Sequence, residues 1–214
     1  MLNIFDIDNT VIKKTTAWYF ICEALEKKAI SLSQIRKLPF EWLKYKSGKP
    51  NTDFIEEAVK YMAGMEKQML EKLAESCFIK RMKPNIYAGA IHLIKEIQER
   101  GERIIFATSS LDILIQPIKS FFGIKESLAS ALEFSQGKAT GRISGSSLFG
   151  EKKKAAVKEW LAAQKIDPAE VIFYSDSYTD IPLLEYCGCP IVVNPDRFLK
   201  KHAIKCGWQI INLK

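Results

Sequence analysis

An α/β fold, with a mostly parallel sheet covered on both faces by helices and one long helical insert, is what the 214 residues predict. Three observations carry it. Short apolar runs recur along the chain, at Met1–Phe5, Arg103–Ala107 and Val171–Tyr174, and each ends in polar, ligand-capable residues. Segments of helical periodicity separate them, which is the alternation that builds a parallel sheet. Between the first and second runs, residues 15–80 keep a helical pattern with few β-branched stretches.

Met1-Leu-Asn-Ile-Phe5 reads as a buried strand delivering Asp6. In the insert, Leu32, Ile35, Leu38, Trp42 and Tyr45 recur at spacings near three and four, and Pro39 must break or begin a helix there. Ser47-Gly-Lys-Pro-Asn51 is a turn, Thr52 or Asp53 can cap the helix after it, and Lys83-Pro84 closes the insert. A helix over 86–100 is stopped by Gly101. The strand Arg103–Ala107 ends at Thr108-Ser-Ser110, and a helix follows to about Phe122, with Gly123 after it. One or two short strands around Gln136-Gly137, a helix over 152–164, the strand Val171–Tyr174 and later strands at 191–193 and 209–211 complete the pattern.

At this length the chain can bury one substantial core plus a small accessory domain. A hydrophobic share of 47% with 27% charged residues excludes a disordered chain. The longest apolar run, Ala17–Cys22, is far too short to cross a membrane. Two aspartates within the first eight positions do not read as a secretory signal, and five cysteines suit a reducing cytoplasm better than a disulfide framework. Cys187 and Cys189 lack a second pair at metal-ligand spacing and read as packing residues. Of the net charge of +7, the stretch 27–49 carries +6, through Lys27, Lys28, Arg36, Lys37, Lys44, Lys46 and Lys49 against Glu41. Most such runs are solvated faces; this one can also attract a phosphorylated, acidic substrate, an anionic membrane or nucleic acid. No nucleic-acid motif accompanies it.

The chemistry should gather where the apolar runs end, at Asp6, Asp8, Thr108 and Asp176. Asp6-Ile-Asp8-Asn-Thr10 sets two carboxylates side by side as the chain leaves a buried strand. Like charges so close repel, and burial adds to the cost, so something must compensate, and a divalent cation is the usual answer. Carboxylates and water are hard oxygen ligands, which suit Mg²⁺. On their own the two aspartates could equally be turn residues or helix caps.

The order of motifs resembles the haloacid dehalogenase-like superfamily, and within it the phosphoserine-phosphatase-like branch. Asp6, Asp8 and Thr10 match the motif D-x-D-x-T, and Thr108 the Thr or Ser that ends a buried strand. Lys152-Lys-Lys154 holds the lysine that opens a helix, and Asp176 and Asp180 match the final aspartate pair. Tyr174–Leu184, Asn194-Pro-Asp196 and Gly207-Trp208 continue the likeness, which covers the core nearly end to end. The resemblance implies a Rossmann-like core of residues 1–13 and 84–214, with residues 14–83 forming a cap domain.

It also implies roles. Asp6 is the nucleophile that takes the phosphoryl group, and Asp8 protonates the leaving oxygen and then deprotonates the attacking water. Mg²⁺ is held by Asp6, Asp176 and the backbone carbonyl of Asp8, with Asp180 holding a metal-bound water. The Thr108 hydroxyl, the Ser109 amide and Lys153 clamp the phosphoryl oxygens. Lys153 is chosen among the three lysines because the family places its lysine 23 residues before the aspartate that matches Asp176.

Each role has a plainer reading. Thr108 can simply cap the helix after it, and Asp180, before Pro182, can cap another. Ser175 stands where relatives often carry glycine, a change expected to be tolerated. His92 and His202 lie away from every motif and read as structural. The insert aromatics Trp18, Tyr19, Phe20, Phe40, Trp42 and Tyr45 read as a miniature core or as an apolar, basic lip for the substrate.

The implied activity is Mg²⁺-dependent hydrolysis of a small phosphate monoester in the cytoplasm. Transfer to an alcohol acceptor is the alternative within enzymes. A phospho-accepting receiver module is the alternative outside them, though its acceptor would follow a more central strand than the first and would need no helical insert. A dedicated phosphoserine phosphatase is not expected. Such enzymes carry an acid nine residues after the nucleophile, where this chain has Thr15 beside Lys13 and Lys14.

Overall fold

The computed structural model describes residues 1–35 and 53–214. Seven strands form one sheet: β1 (Leu2–Phe5), β2 (Arg103–Leu111), β3 (Ser127–Ser135), β4 (Lys138–Ser144), β5 (Val171–Ser175), β6 (Cys189–Val193) and β7 (Gln209–Ile211). Their order is β4-β3-β2-β1-β5-β6-β7, parallel throughout except for the β3–β4 hairpin. The helices are α1 (Thr16–Glu26), α2 (Leu32–Ile35), α3 (Asp53–Val59), α4 (Lys67–Cys77), α5 (Ala88–Glu99), α6 (Asp112–Phe122), α7 (Glu151–Gln164), α8 (Ile181–Leu184) and α9 (Arg197–Cys206). A π-helical turn (Phe78–Met82) and a 3-10 turn (Lys83–Asn85) close the insert at the expected Lys83-Pro84.

β1 lies in the middle of the sheet with side chains buried on both faces, all apolar except Asn3, whose amide donates to Glu102 (2.8 Å) and accepts the Tyr174 hydroxyl (3.3 Å). Leu2 and Ile4 enter one layer with Ile105, Phe173, Val157 of α7 and Leu199 of α9. Phe5 enters the other with Phe106, Tyr174, Ile94 of α5 and Leu114 of α6. The Phe5 and Tyr174 rings, on paired strands, stack with centroids 4.0 Å apart. After β1 the chain builds the β2–β3–β4 side, then returns to β5 on the other side of β1. Strand order reverses there, and open α/β sheets bind ligands at the carboxyl ends of strands flanking such a reversal.

The described part of the insert is tied to the core at two places. At its neck, Ile12 and Ile86 form an antiparallel bridge, flanked by Lys13 N–H to Asn85 C=O (2.9 Å) and Tyr87 N–H to Val11 C=O (3.0 Å). Further along, Gly64 N–H donates to Ala139 C=O (2.8 Å) and Ala139 N–H to Met65 C=O (2.9 Å), seating the insert on the hairpin. Gly141 makes this approach possible: its φ is +81°, and a Cβ there would stand 2.9 Å from the Ala63 Cβ. Tyr19, Phe20, Leu70 and Leu73 therefore join the same continuous core as Phe5 and Leu114 and not a miniature one of their own, while Trp18 is 51% exposed. Phe40, Trp42 and Tyr45, the basic residues from Arg36 to Lys49, Pro39, the turn 47–51 and the Thr52 cap lie outside the described residues.

Two elements differ from the sequence reading. β2 does not stop at Ala107 but runs through the polar residues to Leu111, because pairing with β3 resumes at Leu111–Ser130 beyond an irregularity. Thr108 consequently sits four residues before α6 and cannot cap it; Leu111 holds the cap position. The helix expected from Ile86 starts at Ala88, since Ile86 is taken by the neck bridge. No helix among the described residues is long and apolar enough to cross a membrane.

Candidate active site

The carboxyl ends of β1, β2 and β5 present the polar residues. Asp6 follows β1 in sheet register, its N–H donating to Tyr174 C=O at 2.9 Å, so its carboxylate is placed by the sheet itself. Asp6 is 5% exposed. The chain then turns tightly, with Asn9 at φ +56° and Val11 N–H returning to Ile7 C=O (2.9 Å). That turn brings the buried Thr10 hydroxyl to Asp176 Oδ1 at 3.3 Å.

Lys153, in the first turn of α7, is buried while Lys152 is exposed and Lys154 half-buried. Its Nζ lies 3.0 Å from Asp6 Oδ1 and 2.8 Å from Asp180 Oδ2. Asp180 occupies the cap position of α8, yet its side chain caps nothing: Oδ2 takes Lys153 and the Ser175 hydroxyl (2.7 Å), and Oδ1 is buried without a partner. Asp8 is anchored by both oxygens, Oδ1 accepting Thr16 N–H (2.9 Å) and Oδ2 the Ser110 hydroxyl (3.0 Å). Thr108 is fully buried and its hydroxyl oxygen accepts Ser110 N–H (3.2 Å). Ser109 is half-buried, and its carbonyl accepts the Ser130 hydroxyl (2.9 Å), whose oxygen in turn accepts Leu148 N–H (3.0 Å).

Burial and crowding raise three acids of this cluster. Asp6 is pushed up to about 7, by burial first and by Asp180 and Asp8, with Lys153 opposing. Asp176 is raised well above the usual carboxylate range by burial, then by Asp6 and Asp180. Asp8 is raised by burial, against the pull of the Thr16 amide and the Ser110 hydroxyl. Burial works to lower the Lys153 ammonium, but Asp180 and Asp6 overcome it and the net shift is upward.

Crowded, buried carboxylates and an orphaned Asp180 oxygen make a site short of positive charge. Among the described residues no three His, Cys, Asp or Glu form a ready-made metal cluster. Mg²⁺ does not require one, because it keeps several waters and takes one or two carboxylates beside its substrate. The donor set, all hard oxygens, fits that ion.

Ser110, Thr16 and Ser130 carry hydrogen bonds to site residues that the sequence reading did not assign. The polar run Thr108-Ser-Ser110 was the only signal for Ser110; Thr16 and Ser130 are joined to the site by folding alone. His92 (beside Glu96, 3.3 Å) and His202 (beside Glu185, 3.2 Å) are engaged elsewhere. All five cysteines are free; Cys187 is buried as a packing residue, but Cys189 is exposed and is not one.

The chain belongs to the haloacid dehalogenase-like hydrolase family, whose model matches residues 4–185. It is 30% identical to a histidinol-phosphatase of Neisseria meningitidis (serogroup C, strain 8013), an alignment that covers 100% of this chain and 99% of the relative. A solved structure of a Bordetella pertussis Tohama I protein of unknown function superimposes with a TM-score of 0.88 at 27% identity, covering 100% of this chain and 98% of that one. A phospho-aspartyl intermediate analogue of phosphoserine phosphatase shares the fold, with a TM-score of 0.71 at 23% identity over 100% of this chain and 93% of that one. Family membership sets the receiver module aside. The centrality of the acceptor strand does not, since β1, first in sequence, is the middle strand.

Proposed function

We propose that the protein hydrolyses a small phosphate monoester, with Mg²⁺, through an aspartyl-phosphate formed on Asp6. The chain is a phosphoric monoester hydrolase. The observation that carries the finer reading is the Asp6–Lys153–Asp180 cluster at the end of the middle strand, with Asp8 anchored two residues away.

Uncatalysed phosphate monoester hydrolysis is so slow that acceleration can reach ~10²¹, so several effects must act together. Lys153 holds Asp6 Oδ1, which leaves Oδ2 to attack phosphorus. As the new P–O bond forms and the ester P–O bond breaks, the carboxyl of Asp8 gives its proton to the leaving alkoxide. Asp8, now a carboxylate, takes a proton from a water whose oxygen attacks phosphorus, releasing phosphate and restoring Asp6. The Thr108 hydroxyl, the Ser109 amide and the Lys153 ammonium stabilise the phosphoryl oxygens. Mg²⁺, held by Asp6, Asp176 and the Asp8 carbonyl with Asp180 beside it, would supply neutralising charge as the two anions approach.

Residues 14–83 act as the cap that shields this chemistry from bulk water. Thr15 caps α1 by accepting Trp18 N–H, and Lys13 and Lys14 beside it are exposed, so no acid meets an ammonium group at this position. Phosphoserine is therefore not the preferred substrate, and an amino-alcohol phosphate such as histidinol phosphate belongs on the panel because of the Neisseria relative.

The test is phosphate release from phosphoserine and from sugar, nucleotide, amino-alcohol and lipid-type phosphates, with and without Mg²⁺. Asp6→Asn should abolish turnover while the circular dichroism spectrum is kept. Undiminished turnover in that variant would overturn the mechanism. A wide lead for phosphoserine would overturn the reading of Thr15. Transfer to an added alcohol in excess of hydrolysis would make the enzyme a phosphotransferase.

A further inference from the structure

Ser175 is the last residue of β5 and is fully buried, at the position next to Asp176. Its hydroxyl donates to Asp180 Oδ2 at 2.7 Å and accepts Ser177 N–H at 3.3 Å. Asp180 Oδ2 thus receives two donors, Ser175 Oγ and Lys153 Nζ, on one oxygen, while Oδ1 is left buried with none. A carboxylate held by one donor can rotate and trade its oxygens. One held by two donors from different elements, β5 and α7, cannot turn without losing both.

We propose that Ser175 is a positioning residue that fixes the Asp180 carboxylate with Oδ1 directed away from Lys153 and free to receive the hydration shell of the divalent cation. This rests on the reading of the site as a Mg²⁺-dependent one. The reason the chain needs such a residue lies in the demands on Lys153. That ammonium already spans Asp6 and Asp180, and it must also meet a phosphoryl oxygen during catalysis. It has three protons to give, and any shift toward the phosphoryl group weakens its hold on Asp180. The Ser175 hydroxyl makes no such excursion, because it is buried at the end of a central strand. Asp180 consequently keeps its orientation whichever partner Lys153 serves. A glycine at this position would offer no hydroxyl, and Asp180 would then depend on the lysine alone.

The test compares wild type with Ser175→Ala, Ser175→Gly and Ser175→Thr. Mg²⁺ affinity is read without turnover, by calorimetric titration of the free enzyme and by the Mg²⁺-induced shift in Tm; kcat is read separately at saturating Mg²⁺. Losing a hydrogen bond to a charged group should weaken Mg²⁺ binding about five- to twentyfold in Ser175→Ala and Ser175→Gly, with a smaller Tm shift and kcat within about threefold of wild type. Ser175→Thr, which keeps the hydroxyl, should restore most of the affinity. Unchanged Mg²⁺ affinity in folded Ser175→Ala would overturn the proposal and leave Ser175 as a turn residue for Ser177. Loss of kcat with Mg²⁺ affinity intact would overturn it as well. If wild type itself shows neither heat nor Tm shift with Mg²⁺, the metal-dependent reading fails, and this inference with it.

Discussion

Both oxygens of Asp8 are engaged by protein donors, one from the first residue of α1 and one from β2. The Thr16 and Ser110 hydroxyls also lie 2.6 Å apart, and both side chains bear on Asp8. The result is a small hydroxyl cluster, Thr16 and Ser110, that holds the Asp8 carboxylate in place. Removing Ser110 should leave the carboxylate held by Thr16 alone. Ser110→Ala should lower kcat about tenfold with KM little changed, whereas Asp8→Asn, which removes the proton donor itself, should cost about 10²–10⁴. Steady-state kinetics with a generic aryl phosphate would show this. A kcat equal to wild type in Ser110→Ala would mean that Thr16 alone positions Asp8.

The π-helical turn that ends the insert is fastened to α1 through Glu23, whose side chain is buried. Glu23 accepts the Ser76 hydroxyl (2.6 Å) and Arg81 Nε (2.9 Å), with Lys80 3.8 Å away, while Arg81 also reaches Glu26. Burial raises the Glu23 carboxyl, but the hydrogen bonds from Ser76 and Arg81 and the charges of Lys80 and Arg81 outweigh it, so the net shift is below the ordinary 4.5. An acid lowered in the folded state adds stability above its unfolded pKa and loses it as pH falls through the folded value. Stability should therefore decline below about pH 4.5, and Glu23→Gln should flatten that decline. Arg81 is partly exposed, so solvent screens the pair, and Glu23→Gln at neutral pH should cost about 1–2 kcal/mol. Urea melts at pH 7 and pH 4 would measure both; parallel pH dependence in variant and wild type would remove Glu23 from this role.

At the scale of the molecule, the described insert and the sheet share a single apolar core, in which Leu70, Leu73 and Tyr19 meet Leu114, Leu132 and Phe5. An insert with its own core would unfold by itself, whereas one whose core is the sheet's must go with it. Calorimetry of the whole chain should give one transition, with van't Hoff and calorimetric enthalpies equal. Two resolved transitions would mean that the insert is an independent folding unit. The shared core also limits how the insert can move. Its hydrogen bonds to the hairpin at Ala139 and its neck bridge at Ile12–Ile86 leave the described helices fixed to the sheet.

The sequence by itself determined the parallel α/β frame, because apolar runs at 1–5, 103–107 and 171–174 can be buried only on both faces of a sheet. It also determined that Asp6 and Asp176 arrive at the carboxyl edge, since each directly follows a strand end, whereas Thr108 lies inside β2. Lys153 could be chosen among three lysines only through a family spacing; helix rotation then buried it and turned Lys152 outward. Tertiary structure alone decided the partners. β2 ran past Thr108 because a neighbouring strand was there to pair with, and Asp180 gave up capping because Ser175 and Lys153 met its carboxylate first. Thr16 and Ser110 stand 94 residues apart, and local sequence carries no trace of a hydrogen bond between them. Such contacts depend on which elements the folded sheet brings side by side, and periodicity along the chain encodes only the faces, not the neighbours.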